Sequence, residues 1–295
     1  MTTLWGHDHV IVLDRVSKHY RRGVPVLTDI DLELSTGVPT VISGGNGSGS
    51  GKSTLLRIVA GVLRPSRGAV RDRPRSVGYL PSPFPAELRL STTAYLRQLA
   101  AVRGLGRERA TGYAEGLLAR LGFAGDASAP IRTLSKGNMH KVGLAQALLP
   151  TDGLVVLDEP WSGLDFAAQR TLDELIGELV ADGRSVLITD HVGHALRLPR
   201  RRVLALTSGR LGEQPGTSSK VVTIELTGSA DVLDTIGRFI GVGEREPVAG
   251  GLRLRVDAAG SDALLAEALR LGASVRTVHS PQAGAASSSA EQVTG

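Results

Sequence analysis

Residues 41–56, VISGGNGSGSGKSTLL, take a short apolar run into a glycine-rich loop and then into Lys52, Ser53 and Thr54. Glycines let successive backbone N–H groups curl around a phosphate, and a helix beginning at the lysine adds partial positive charge. In such a loop the Lys52 ammonium reaches β- and γ-phosphates and the Ser53 hydroxyl holds Mg²⁺. A flexible Gly/Ser connector is the competing reading, but a connector has no need of a buried strand before it. Nor does it need the apolar helix of Leu55, Leu56, Ile58 and Val59 behind it. The spacing G-x-x-x-x-G-K-[ST] is not met, because Asn46 stands six residues before Lys52 and the glycine sits two places earlier, at Gly44. The loop reads as though a Ser-Gly pair had been duplicated. Either the two extra residues bulge near residues 45–47 while 49–54 still cradle phosphate, or they misplace the loop. The bulge is the expectation, since glycine loops absorb insertions at small cost. Gly44, Asn46, Gly47, Gly49, Gly51, Lys52, Ser53 and Thr54 are the candidate nucleotide contacts.

Further along, LVVLDEP at 154–160 is a buried strand ending in two acids. Asp158 would coordinate Mg²⁺, directly or through water, and Glu159 would polarise an attacking water. An acidic helix cap is the alternative. LITDH at 187–191 closes another apolar run on His191, placed to meet a γ-phosphate, whereas His194 is expected on a helix surface. LSKGN at 134–138 opens a helix expected over 139–149, which puts Ser135 and Gly137 where a helix N-terminus can meet an anion.

With SGLD at 162–165 added, residues 10–212 resemble the ATPase subunit of an ATP-binding cassette (ABC) transporter. The combination is specific: phosphate loop, VGYLP at 77–81, LSKG, LDEP, SGLD, then a strand-terminal histidine. The resemblance implies two ATP molecules sandwiched between two such subunits. Lys52, Ser53, Thr54, Asp158, Glu159 and His191 would act on ATP in cis, with Lys52, Glu159 and His191 catalytic and Ser53 and Asp158 on the metal. The signature Ser135, Gly137 and Asn138 would act in trans, the first two on the γ-phosphate of the partner's ATP. Tyr20 lies where the family stacks an aromatic on adenine, and Asp165 lies in the subunit-contact loop. There are departures besides the loop. Ser82 replaces a glutamine that reaches Mg²⁺ and water, Asn138 replaces the closing glutamine of the signature, and His140-Lys141 stand where Gln-Arg is usual. A semi-degenerate regulatory subunit paired with a fuller cassette is therefore an alternative to a fully active ATPase. A soluble non-transport ABC ATPase is another, although its relatives carry two cassettes or long coiled coils.

The elements that must position these residues follow from hydropathy. In residues 30–34, IDLEL, apolar and acidic residues alternate with the period of an antiparallel sheet wet on one face. Wholly apolar runs at 40–43, 77–80, 154–157, 186–189 and 203–206 suit parallel strands covered on both faces, and Leu172, Leu175, Ile176, Leu179 and Val180 have the spacing of a crossover helix. The fold class expected is α/β: a P-loop NTPase core with a mostly parallel sheet, an antiparallel β subdomain, and an inserted helical subdomain at about 84–150. The ATP-binding domain is expected over 1–215. A ferredoxin-like α+β unit in the order β-α-β-β-α-β is expected over 220–280, resembling an accessory domain of some bacterial exporter ATPases, and a disordered tail over 281–295.

Composition narrows the function classes. The 295 residues are 41% hydrophobic, which supports sizeable cores, and contain no cysteine, which removes disulfides, thiolate metal sites and cysteine nucleophiles. No run approaches the ~18 apolar residues of a membrane span. The net charge is +5, with five lysines and the remaining positive charges from arginine; the cluster Arg200–Arg202 reads as a solvated edge. Aromatics at 3% argue against base stacking and nucleic acid. A membrane permease encoded separately, a homo- or heterodimer of ATPase subunits, ATP and Mg²⁺, and a cytoplasmic location on the inner membrane face are the expected partners, cofactors and place.

Overall fold

The computed structural model describes residues 10–20, 25–44, 50–85, 87–150, 153–190, 193–198, 200–213, 221–237 and 242–279. The chain forms two compact units, Met1–Pro215 and Gly216–Gly295.

In the first unit, β1 (Ile11–Lys18) pairs antiparallel with both β2 (Leu27–Leu34) and, beyond β3 (Thr40–Ser43) and α1 (Lys52–Val59), with β4 (Arg67–Arg71). The alternation in β2 is realised: Ile30, Leu32 and Leu34 are buried, Asp31 and Glu33 exposed. A second sheet has the order β5-β6-β7-β3-β8-β9, with β5 (Val77–Leu80), β6 (Leu154–Leu157), β7 (Ser185–Thr189), β8 (Arg202–Thr207) and β9 (Arg210–Glu213). Its first five strands are parallel, and β9 returns antiparallel to β8. Successive side chains of β6 enter opposite cores. Val156 packs with Leu55, Leu56 and Ile58 of α1, whereas Val155 and Leu157 pack with α4 (Lys136–Leu148) and α5 (Phe166–Ala181). Each such fully buried side chain stabilises by about 1.5–3 kcal/mol.

The helical insert comprises α2 (Thr92–Val102), α3 (Arg107–Arg120) and α4. Ser91 caps α2 by accepting from the Ala94 amide (3.2 Å), and Ser135 caps α4 by accepting from the Asn138 amide (3.3 Å). The α4 helix therefore starts three residues before the expected 139. At its other end Arg103 donates to the carbonyls of Gln146 (3.0 Å) and Leu149 (3.1 Å), which the helix leaves open.

The second unit runs β10 (Val221–Thr227), α6 (Ala230–Gly237), β11 (Val242–Val248), β12 (Gly251–Asp257), α7 (Ala258–Arg270) and β13 (Ser274–His279). The strands form one antiparallel sheet ordered β11-β12-β10-β13. Each helix carries the chain over one intervening strand, which is the ferredoxin-like split arrangement. Val222, Ile224, Leu226, Leu254 and Val256 form its core with Ile236, Leu264 and Ala268.

Two strands, β4 and β9, were not expected. Their sequences RGAVR and RLGE are short and mostly exposed, so the neighbouring strand defines them rather than any pattern of their own. The tail expected to be disordered lies outside the described residues, as does the stretch 214–219 of the expected inter-domain loop, whose first residue, Glu213, closes β9.

Candidate active site

The phosphate-loop candidates sit where β3 ends and α1 begins. Residues 45–49, with Asn46, Gly47 and Gly49, lie outside the described residues. On either side of them the backbone is unusual. Gly44 has φ +139°, and a Cβ there would fall 2.4 Å from the carbonyl oxygen of Leu206, so only glycine lets the loop leave β3 this close to β8. Gly51 has φ +87° and precedes α1 without any side-chain cap, which leaves the first amides of the helix available to an anion. Lys52 is buried, and its ammonium donates to the Gly44 carbonyl (3.0 Å) across the loop. Ser53 follows in the first turn of α1. Thr54 is buried and shares a hydrogen bond with the Tyr20 hydroxyl (3.1 Å), while the Lys18 ammonium lies 5.5 Å from the Tyr20 ring centre. Tyr20 keeps 56% of its surface exposed, so its ring is open to a ligand.

The acids lie at the end of β6, two strands from β3 with β7 between. Asp158 is 1% exposed. Its Oδ1 accepts from the Thr189 hydroxyl (2.7 Å), whereas its Oδ2 is sealed from solvent with no hydrogen-bond partner among the described residues. A buried carboxylate oxygen left unpaired costs stability, and a hard divalent cation, which takes oxygen ligands, would satisfy it. Thr189 also accepts from the Glu159 amide (2.8 Å), so one hydroxyl fixes both acids. Glu159 itself has φ +50°, a left-handed conformation that costs about 1–3 kcal/mol for a residue with a side chain. Beside it opens a cleft of about 240 Å³, lined further by Trp161, Ser162, Gln169, Asp190 and His194.

His191 lies outside the described residues. The expectation for His194 is corrected: it is not a helix-surface residue, because its ring stacks on Trp161 (centroids 5.9 Å apart, 13° from parallel). The stretch after β7 is a 3₁₀ turn, His194–Arg197, turned inward by Asp190, which accepts from the amides of Gly193 (3.1 Å) and Ala195 (2.6 Å).

The signature residues occupy the other face of the sheet, where α4 packs, and are not grouped with Lys52. Ser135 is exposed and its hydroxyl caps its own helix. Gly137 faces the loop carbonyl of Gly163 (3.5 Å from a Cβ placed on it), and the Asn138 side chain accepts from the Ala124 amide (3.2 Å). Behind them His140 donates through Nε2 to the Pro160 carbonyl (2.8 Å), and burial lowers the pKa of its imidazole. Lys141 is buried and reaches Asp165 (3.2 Å) and the Gly122 carbonyl (2.8 Å). Asp165 also caps α5 by accepting from the Ala168 amide, and that bond, with the Lys141 ammonium, lowers its pKa. Ser82, half-buried, follows β5 and Pro81.

Thr189, Trp161 and the pair Asp173–Arg197 escaped the reading of the sequence. Thr189 carried a signal, being a polar residue at the end of an otherwise apolar strand. Asp173 and Arg197 carried none, because what joins them is tertiary.

A parallel sheet with a glycine-flanked lysine loop at one strand end and two acids at another defines a P-loop NTPase. Residues 27–162 match the family described as ABC transporter. The zinc import ATP-binding protein ZnuC of Pseudomonas aeruginosa (strain UCBPP-PA14) is 38% identical over 186 residues, 62% of this chain and 66%, about two thirds, of that protein. ZnuC of Pseudomonas putida is 36% identical over 201 residues, 68% of this chain and 75% of the other. The cytochrome c biogenesis ATP-binding export protein CcmA of Cupriavidus pinatubonensis is 35% identical over 182 residues, 58% of this chain and 79% of that one. Among solved structures, an ATP-binding subunit of an ABC transporter has a TM-score of 0.62 at 24% identity, covering 88% of this chain and 99% of its own. A dimeric ATP-binding cassette in a post-hydrolysis state, bound to ADP and Pi, has a TM-score of 0.62 at 23% identity, with 70% and 99% covered. The chain belongs to the ABC transporter ATP-binding family.

Proposed function

We propose that this chain binds ATP and Mg²⁺ at the ends of β3 and β6. It hydrolyses the ATP within a dimer of such subunits, on the cytoplasmic side of a separately encoded membrane permease. The observation that carries this reading is the buried, unpartnered Oδ2 of Asp158, held beside Glu159 by Thr189. Asp158 and Ser53 would hold the magnesium, which would supply positive charge to offset that of the phosphates. Tyr20 stacks on adenine, and the uncapped amides of α1 with the Lys52 ammonium take the phosphates, Lys52 leaving the Gly44 carbonyl to do so. Glu159 polarises the water that attacks the γ-phosphorus, and the bond to the β-phosphate oxygen breaks to give ADP and phosphate. His191 contacts the γ-phosphate. Ser135, Gly137 and Asn138 address the ATP of the partner subunit, and Asp165 contacts that partner. That no helix among the described residues is long and apolar enough to cross a membrane fits a subunit that borrows its membrane part.

The short Ser82 side chain supports a second reading, a weakly active cassette paired with a complete one. Turnover by the purified chain alone decides between them: Mg²⁺-dependent turnover supports the first, and activity only after adding a second cassette supports the other. Glu159→Gln is expected to lower turnover by about 10²–10⁴ while ATP still binds. Retained turnover would remove Glu159 from its role. Deleting Ser48 and Gly49 should leave ATP affinity within about threefold, and a large gain would mean that the extra residues misplace the loop.

A further inference from the structure

We infer that Trp161 is a positioning residue for Glu159, which rests on the reading of Glu159 as the group that polarises the attacking water. Glu159 occupies a left-handed conformation that its surroundings must hold. On its upstream side Thr189 binds its amide. Downstream, its carbonyl accepts from the Ser162 amide (3.1 Å), and two residues along the chain Trp161 is anchored with 2% of its surface exposed. The anchor is polar as well as apolar. The indole N–H donates to Asp173 of α5 (2.8 Å), and Asp173 accepts from the Arg197 guanidinium (2.7 Å), itself only 8% exposed. Arg197 extends to Gln169 (3.3 Å), and the indole face rests on His194.

Trp161 thereby ties the turn that carries Glu159 to α5 and to the 3₁₀ turn that follows β7, and it lines the same cleft as Glu159. An aliphatic side chain would fill this core without burying an N–H or an ion pair. A buried ion pair contributes little net stability against a packed apolar substitute, although breaking one is costly. What the arrangement supplies here is a single orientation, two residues from a carboxylate whose reaction is sensitive to displacements of about 1 Å.

The test uses the full-length protein with Trp161→Phe, which keeps a ring against His194 but cannot donate to Asp173, alongside Glu159→Gln. Trp161→Phe is expected to lower kcat about tenfold while KM and equilibrium binding of ATP stay within about twofold, the signature of an interaction made in the transition state. Asp173→Asn, which preserves shape, should give the same split at a smaller size, and stands in if the first variant folds poorly. Trp5 and Trp161 are the two tryptophans, so in a Trp5→Phe background the emission of Trp161 should change when ATP and Mg²⁺ bind. A kcat within twofold of the parent for Trp161→Phe, with Glu159→Gln inactive, would overturn this inference alone. So would a fall in kcat matched by falls in ATP affinity and Tm, or an emission indifferent to ATP. An active Glu159→Gln would overturn the reading of Glu159 and this inference with it.

Discussion

The two units contain sheets that treat carboxylates in opposite ways. In the first unit the parallel strands are covered on both faces, as β6 and β7 show by being buried throughout, so polar groups are confined to the strand ends. There they are buried, and Asp158 keeps one oxygen unpaired among the described residues. In the second unit one face of the antiparallel sheet carries the core and the other is open. On the open face Glu225 and Glu246 flank Arg253 (2.8 and 2.9 Å), and Glu244 meets Arg255 (2.8 Å). Those carboxylates are satisfied in place and wet. A sheet buried on both sides concentrates unsatisfied polar groups where the chain leaves it, which is where a charged substrate can be held, whereas a half-open sheet disperses and neutralises them.

The sharpest way to break this contrast is to change one acid of each kind. Asp158→Asn is expected to lower ATP turnover by at least about a hundredfold, because an interaction worth several kcal/mol in the transition state is removed. Glu225→Gln should leave turnover unchanged. Equal effects in a steady-state phosphate-release assay would erase the distinction.

Truncating one core residue in each unit sharpens the comparison further. Leu157→Ala and Ile224→Ala each remove a fully buried side chain and should cost about 2–5 kcal/mol of stability to the unit concerned. Denaturant unfolding checks the cost. ATP binding should survive Ile224→Ala at low denaturant and fail early with Leu157→Ala.

Two smaller effects concern charge. Burial lowers the pKa of His140, so the folded protein binds its proton less readily than the unfolded chain does. Below its ordinary value of 6.5 the unfolded state takes up the proton first, and stability falls as the pH is lowered. The slope from this group is at most about 1.4 kcal/mol per pH unit. His140→Gln should flatten stability below pH 6.5, and an unchanged profile in thermal melts would show that His140 does not contribute. Smallest of all, Arg253→Ala on the open face of the second unit should change stability only slightly in denaturant unfolding, and less still as salt is raised.

Much of this was legible along the chain. The apolar runs gave the parallel strands to within a residue or two, since a strand buried on both faces can hold little but apolar side chains. The alternation in residues 30–34 gave the antiparallel sheet, and the loop at 41–56 gave the nucleotide chemistry. What escaped was defined from outside. The β4 and β9 strands exist because β1 and β8 present free edges. The inward place of His194 depends on Trp161, which is 33 residues away in the chain and in contact only through the fold.

By itself, then, the sequence determined which side chains could do chemistry and which segments would be buried, because composition and period act within a few residues of one another. It also determined that a P-loop lies ahead of an acidic strand end. Only the tertiary structure decided that β7 lies between β3 and β6, so that Thr189 serves both acids, and that Asp158 keeps one oxygen free while Asp165 is taken up by a helix cap and Lys141. A carboxylate's role depends on which donors reach it, and those donors arrive from strands and helices distant in the chain.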